Sequence, residues 1–182
     1  MVHYRRSLVP GGTFFFTVAA ADRRSSILVD NIVSLRRAFR ITRGERPFTI
    51  DAVVILPDHL HIIMTLPEED ADFSGRWRRI KSLFSRYVVS RGLPVERNRR
   101  GEYALWQSRF WEHAIRNEMD LDRHVDYIHY NPVKHGLISR VSHWPFSSFH
   151  RYVRQGWLPQ DWAGLIEEPD AAGFGERGDE FR

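Results

Sequence analysis

The chain has 182 residues and a net charge of +4, a length that suits one compact domain able to bury its apolar side chains without cross-links. It has no cysteine, which excludes disulfides and thiolate metal sites, so a metal ion would need histidine, carboxylate, amide or water ligands. No apolar run approaches the length of a membrane span and no signal peptide is recognisable, so we expect a cytoplasmic protein with one domain over residues 1–166.

The charges are unevenly distributed along the chain. Residues 76–100 contain nine Lys or Arg side chains and a single acid, Glu96. Residues 167–182 are mainly acidic and predict a disordered tail. A basic segment beside an acidic tail indicates a polyanionic partner, although a solvated helix face would give the same pattern.

Apolar patterning predicts the elements of the first half. Residues 13–20 are aromatic and β-branched and predict a buried strand. A helix follows, which we expect Asp30 to cap and Gly44 to end. Residues 48–56 and 59–66 predict two antiparallel strands, because the Pro57-Asp58 pair between them is typical of a tight turn.

The remaining part of the chain adds two helices and a strand. The first helix places its apolar side chains on one face: Trp77, Ile80, Phe84 and Tyr87 or Val88. Residues 109–116 predict a fourth strand, and a helix should run from Asn117 to about Asn131, because Pro132 disfavours helical geometry in the residue before it. The order β-α-β-β-α-β with a further helix predicts an α+β, ferredoxin-like antiparallel sheet with helices on one face.

His59 and His61 lie in the second strand of the predicted hairpin. Side chains alternate along a strand, so both imidazoles emerge on one face and can chelate one divalent ion. A chain with nine histidines is expected to contain about 0.4 such pairs by chance, so two ordinary sheet histidines are an open alternative.

Tyr127 and Asn131 are four residues apart on the last predicted helix and therefore share one face, with His124 one turn earlier. A phenol and an amide could enter the same site. A core tyrosine with a tethered hydroxyl is the alternative. Tyr130 is a second phenol, but it projects about 300° around the helix from Tyr127.

Several motifs resemble the HUH single-tyrosine transposases, and in particular their REP-associated branch. They are, in chain order, Tyr4-Arg5-Arg6 with residues 11–17, the strand-turn-strand over 53–63, the segments 106–113 and 124–137, and Trp144-Pro145-Phe146-Ser147-Ser148-Phe149. The resemblance spans about residues 4–152. It implies a single-stranded DNA endonuclease and strand transferase that acts at DNA hairpins through a 5′-phosphotyrosine link.

The resemblance also implies roles for individual residues. His59, His61 and Asn131 would hold Mg²⁺ or Mn²⁺, and Tyr127 would attack the DNA. Asp58 stands where many relatives have asparagine, so a carboxylate would lie near the metal, either supporting a ligand or acting as an extra one. His124 is a candidate general base on spacing alone.

The expected partner is single-stranded or hairpin DNA. The basic segment supplies candidate contacts to its phosphates: Arg76, Arg78, Arg79, Lys81 and Arg86. Two other classes stay open, a domesticated hairpin-binding protein that does not cleave and a metal hydrolase that uses activated water. The oligomeric state, monomer or homodimer, is open as well.

Overall fold

The computed structural model describes residues 9–99 and 101–163. The acidic segment 167–182 and the expected domain end at residue 166 lie outside the described residues. None of the helices in the described part combines the length and the apolarity that crossing a membrane requires.

One antiparallel sheet of four strands forms the centre of the fold. The strands are β1 (Thr13–Ala19), β2 (Thr49–Ile55), β3 (His59–Thr65) and β4 (Trp111–Ala114). Their order across the sheet is β2-β3-β1-β4, with antiparallel pairing throughout. This is the ferredoxin-like arrangement expected from the sequence, with the predicted hairpin formed by β2 and β3 and a fourth strand shorter than predicted.

Helices cover both faces of the sheet. They are α1 (Ile27–Asp30), α2 (Ile32–Glu45), α3 (Phe73–Ser90), α4 (Glu118–Lys134) and α5 (Phe149–Arg154), with a 3₁₀ turn at Val141–His143. The helices α2 and α3 pack together on one face, and α4 lies on the other against β2 and β3.

The alternation of side chains along β1 creates two cores. Phe14 and Phe16 point to the face covered by α2 and α3, where they join Trp77 in the larger core. Phe15 points to the opposite face and packs with the apolar side of α4. All three phenylalanines are fully buried, and each contributes roughly 1.5–3 kcal/mol through burial.

Residues 146–148, in the C-terminal extension that follows α4, pair with the outer edge of β2. Val54 pairs with Ser147 in an antiparallel bridge, and the Ser148 hydroxyl accepts a hydrogen bond from the Val53 amide at 2.8 Å. His129 of α4 lies 3.0 Å from the same hydroxyl through Nε2. The edge strand is therefore paired rather than open, and α4 is tied to it.

The start expected for the helix after β1 was wrong. Asp30 ends the short α1 and accepts a hydrogen bond from Ser26, while Asn31 occupies the position before α2. The apolar spacing correctly predicted helical structure here, but the chain forms two helices, α1 and α2, instead of one. The helix also passes Gly44 by one residue and ends at Glu45.

The expected end of α4 at Asn131 was also wrong, because the helix continues through Pro132 to Lys134. A proline in the last turn removes only one helical hydrogen bond, and Pro132 is itself buried. The helix then ends in a Schellman motif: the Gly136 amide bonds to the Val133 carbonyl and the Leu137 amide to the Pro132 carbonyl. Gly136 has a φ of 68°, which favours glycine at this position.

Candidate metal and tyrosine site

The two histidines of β3 lie side by side on the face covered by α4. His61 pairs with Thr17 of β1 and His59 with Ala19, so the strand alternation places both imidazoles on the face of the smaller core. Their ring centroids are 4.9 Å apart with planes at 85°. The side chains are almost completely buried, His59 at 2% exposure and His61 at 0%.

Asp58 orients the His59 ring. Its Oδ1 lies 2.8 Å from His59 Nδ1, and its Oδ2 lies 3.0 Å from Nε of Arg23. Burial alone would raise the pKa of Asp58, but the contacts with His59 and Arg23 outweigh it and the pKa is lowered. An ionised carboxylate only accepts hydrogen bonds, so His59 Nδ1 carries the proton and Nε2 is the nitrogen that can coordinate an ion. Both carboxylate oxygens contact protein groups, an arrangement that favours Asp58 as a support of His59 over Asp58 as an extra ligand.

Thr17 contacts the Nδ1 atom of His61, as Asp58 contacts the Nδ1 atom of His59. Its Oγ1 lies 2.9 Å from His61 Nδ1, and a Thr17 hydroxyl that accepts the Nδ1 proton would make Nε2 the nitrogen able to coordinate an ion. Phe15 stacks against the imidazole with the centroids 5.5 Å apart and the planes at 18°. The neighbouring strand β1 thus fixes the His61 ring from its edge, through Thr17, and from its face, through Phe15.

A stripe of α4 faces the two imidazoles. The ring of Tyr127 lies 5.2 Å from that of His61, and the ring of His135, two turns later, lies 5.1 Å from that of His59. Asn131 is one turn from each of them and fully buried. The amide is therefore placed on the stripe between the residues that touch the two histidines.

Lys134 places a cation at the tyrosine hydroxyl. Its Nζ donates a hydrogen bond to Tyr127 Oη at 3.2 Å and lies 4.7 Å from the centre of the phenol ring. Tyr127 is 1% exposed, so the ring is held by packing on both sides. A positive charge at this position would stabilise negative charge on the phenolic oxygen if the tyrosine acted as a nucleophile.

These donors fit a divalent cation. His59 and His61 would each offer a ring nitrogen and Asn131 an amide oxygen, three neutral ligands that would leave a bound divalent cation able to accept phosphate oxygens as well. The pattern of one carboxylate and one hydroxyl behind the two imidazoles is the support that metal-binding histidines generally receive.

A second group of polar side chains lies at the start of α4. His113, Asp120 and His124 bring their ligand atoms within 4.8 Å of one another, which makes them a further candidate for an ion. Asp120 Oδ2 lies 2.8 Å from His113 Nε2, and the two imidazoles stack at 4.7 Å. Burial lowers the pKa of His124, and its Nδ1 lies 2.7 Å from the Asp120 carbonyl. The candidate base is therefore part of this group.

The structure corrects the role expected for Arg76. This side chain is 1% exposed, and its guanidinium donates to Asp70 Oδ2 at 2.7 Å and to the carbonyls of Pro47 and Asp72. A buried cation with a carboxylate partner is typical of a structural group, which argues against a contact between Arg76 and a DNA phosphate. The basic sequence pattern did not reveal this because Arg76 lies beside Trp77 on the buried side of α3.

The other basic candidates on α3 differ in exposure. Arg78 and Arg86 are exposed. Arg79 forms a two-point contact with Glu45 at 2.7 and 2.6 Å, and Lys81 donates to the Gln107 carbonyl, with burial lowering its pKa to about 8. All of them lie on the helix that covers the face opposite to the histidine pair, so α3 and the site could contact one DNA molecule only around the edge of the sheet.

Tyr130 is directed away from the site. It lines a separate cavity of about 910 Å³ together with Val133 and the 3₁₀ turn. The two phenols of α4 therefore face different surroundings, and only Tyr127 contacts His61.

Sequence reasoning missed three residues of the site: Thr17, Lys134 and His135. His135 continues the four-residue spacing from Tyr127 through Asn131, but it lies beyond the helix end that was expected at Asn131. Lys134 was missed for the same reason, because its reach to Tyr127 depends on the last turn of α4, which the proline was expected to prevent. Thr17 required the register of β1 against β3.

Asp58→Asn is expected to weaken Mn²⁺ binding by about tenfold or more, because the amide no longer supplies the charge that holds His59 Nδ1–H. Isothermal titration of the protein with Mn²⁺ measures the effect, with Asp122→Asn, an exposed carboxylate on α4, as the matched control. Equal affinities in the two variants would show that Asp58 does not support a metal ligand.

Comparison with known proteins places these residues in a wider group. A protein-family model described as "Transposase IS200 like" matches residues 15–131, a range that includes His59, His61, Tyr127 and Asn131. The chain is 49% identical over 177 residues to a REP-associated tyrosine transposase of Escherichia coli (strain K12), covering 97% of this chain and 98% of that protein. A solved structure of a REP-associated tyrosine transposase bound to a REP hairpin superposes with a TM-score of 0.82 at 50% identity, covering 94% of this chain and 96% of that one.

Proposed function

Because the chain belongs to the IS200-like transposase family, we propose that it is a DNA-cleaving and DNA-joining enzyme that acts on single-stranded DNA at the foot of hairpins of the REP type. Its relatives are named as REP-associated tyrosine transposases, and one of them is bound to a REP hairpin. The proposed chemistry is a metal-dependent transesterification in which Tyr127 becomes joined to a 5′-phosphate.

The observation that carries this proposal is the placement of Tyr127. Its ring contacts His61 at 5.2 Å, its hydroxyl contacts Lys134, and Asn131 follows on the same stripe of α4. A tyrosine that served only the core would need no cation at its oxygen and no pair of supported imidazoles beside it. A nucleophile for a charged phosphodiester needs both.

A Mg²⁺ or Mn²⁺ ion held by His59, His61 and Asn131 would supply Lewis acidity to the scissile phosphate. Asp58 and Thr17 hold the two imidazoles in the orientation that presents Nε2. Water is largely excluded from the histidines, since both are nearly fully buried. Electrostatic interactions in such a site are stronger than they would be at the surface.

The proposed cleavage exchanges one ester bond for another. Tyr127 Oη attacks the phosphorus and loses its proton, the phosphorus–O3′ bond breaks, and the departing oxygen takes up a proton to leave a 3′-hydroxyl. Lys134 stabilises the developing phenolate through the contact at 3.2 Å. Attack of a 3′-hydroxyl on the phosphotyrosine reverses these changes and rejoins DNA, so neither direction requires an external energy source.

The proposed site is complete within one chain. Tyr127 lies against His61 of its own chain, so a monomer could perform both steps. Sedimentation of the protein with and without hairpin DNA tests this. The cytoplasmic location expected from the sequence remains a prediction.

Among the candidate DNA contacts on α3, we expect Arg78 to matter more than Arg79. Arg78 is exposed, whereas Arg79 is held by Glu45. Arg78→Gln should lower the slope of log affinity against log salt by about one unit if it contacts one phosphate, and Arg79→Gln should change it less. Hairpin binding at several salt concentrations measures both slopes, and an unchanged slope in Arg78→Gln would make its face of α3 an ordinary solvated surface.

The experiment for the proposed function uses labelled REP-type hairpin oligonucleotides with single-stranded extensions, incubated with Mg²⁺ or Mn²⁺. The proposal predicts a protein–DNA adduct that survives denaturant, together with a free 3′-hydroxyl end. Binding without cleavage would instead identify a domesticated hairpin-binding protein. Cut ends without an adduct would identify a hydrolase that uses water.

A further inference from the structure

A cavity of about 240 Å³ lies beside His59, which forms part of its wall. Its polar lining comes from the loop after β1, from the turn between β2 and β3, and from the residue after α4: Arg23, Arg24, Ser25, Ser26, Asp58 and His135. The volume is several times the roughly 30 Å³ that one water molecule occupies, so it can hold a group of phosphate size or larger. We call this cavity the arginine–serine pocket.

The two arginines of the pocket have different partners. Arg23 Nε lies 3.0 Å from Asp58 Oδ2 and is thereby paired within the protein. Arg24 is exposed, and its guanidinium meets no carboxylate among residues 9–99 and 101–163, its backbone amide alone bonding to Asp22. The pocket therefore contains one neutralised cation and one cation that can pair with an incoming anion.

The serines differ in the same way. Ser26 donates its hydroxyl proton to Asp30. Ser25 Oγ accepts a hydrogen bond from the Ile27 amide at 3.1 Å, which leaves its own proton for another acceptor. Arg24 and Ser25 thus provide a charged donor and a neutral donor next to each other in the chain, a combination that suits phosphate oxygens.

The position of the pocket identifies which phosphate it would take. His59 forms part of the pocket wall and is also a proposed ligand of the ion that binds the scissile phosphate. A DNA strand lying across His59 would therefore place one phosphate at the ion and the adjacent one in the pocket. His135 lines the pocket as well, and its ring lies 5.1 Å from that of His59.

We propose that the arginine–serine pocket binds the phosphodiester next to the scissile one, with Arg24 and Ser25 as its donors. This inference rests on the proposed function. Holding the neighbouring phosphate fixes the strand at two points, and two points define the line along which the Tyr127 oxygen approaches the phosphorus. Arg24 is a positioning residue in this account, since it acts on the strand beside the reacting atoms.

The test replaces single phosphates of the hairpin oligonucleotide by neutral methylphosphonates, one linkage at a time, and measures equilibrium binding without added metal. Wild-type protein should lose about tenfold in affinity at one linkage adjacent to the cleavage position. Arg24→Gln should bind the unmodified oligonucleotide about tenfold more weakly and be insensitive to methylphosphonate at that same linkage. Arg91→Gln, an exposed arginine at the end of α3, is the control and should keep the wild-type pattern.

Two results would overturn the proposal. In the first, the loss of affinity caused by Arg24→Gln multiplies with the loss caused by methylphosphonate at every linkage. The two effects would then be independent, and Arg24 would contact none of the phosphates tested. In the second, the coupled linkage lies several nucleotides from the cut. Because the readout is binding, failure of the proposed cleavage activity is seen separately: it would leave the coupling intact while no adduct forms in the presence of metal.

Discussion

Tyr127→Phe is expected to abolish adduct formation, a loss of at least about a thousandfold in cleavage, while hairpin binding stays close to that of the wild type. The substitution keeps the ring that packs against Phe15 and His61 and deletes only the oxygen proposed to form the covalent bond. A denaturing gel with labelled hairpin oligonucleotide measures the adduct, and a filter or gel-shift assay measures binding.

Tyr130→Phe is the matched control, because it removes the same atom from the same helix at a position that faces a different cavity. This variant should form the adduct at the wild-type rate. Adduct formation by both single variants would rule out a mechanism with one tyrosine, and loss in Tyr130→Phe alone would move the nucleophile.

Removal of one imidazole should have the second largest effect. His61→Leu is expected to lower cleavage by at least about a hundredfold because leucine has no donor atom and the ion loses a ligand, while hairpin affinity changes only a few-fold, since phosphate contacts supply most of it. Leucine is preferred to alanine here, because His61 is fully buried and its truncation would leave a cavity beside Phe15 that costs roughly 2–4 kcal/mol of stability.

His129→Gln is a useful comparison, since this histidine is also fully buried, and burial lowers its pKa to about 3, but it lies at Ser148 near the edge of the sheet. It should lose stability, measured by thermal unfolding, and retain cleavage per folded molecule. Full activity in His61→Leu would remove the metal assignment.

The sheet could be predicted from the sequence because its strands have strong local signals. β1 is aromatic and β-branched, and the tight turn before His59 defines the hairpin. The ends of α2 and α4 could not be predicted. At Pro132, tertiary burial and a Schellman ending outweigh the local preference against helix, an effect that the residues around the proline do not reveal.

The site was predictable to the extent that its spacing is local. The pair on β3 and the Tyr127-Asn131 stripe follow from strand and helix periods, and the structure brings Tyr127 to His61 across 66 residues of chain. The roles of the individual basic side chains could not be predicted in the same way. Arg76 and Arg78 are equivalent in the sequence pattern, but one is buried with Asp70 and the other is exposed, a difference that depends on helix phase and on loops.

The most direct measurement of the central claim is the identity of the residue that carries DNA. Wild-type protein is incubated with the hairpin oligonucleotide and Mn²⁺, the bound DNA is trimmed with nuclease, and the digested protein is analysed by mass spectrometry. The account predicts a nucleotide phosphate on the oxygen of Tyr127 and on no other residue. A nucleotide on Tyr130, or cleaved DNA with no modified residue, would contradict it.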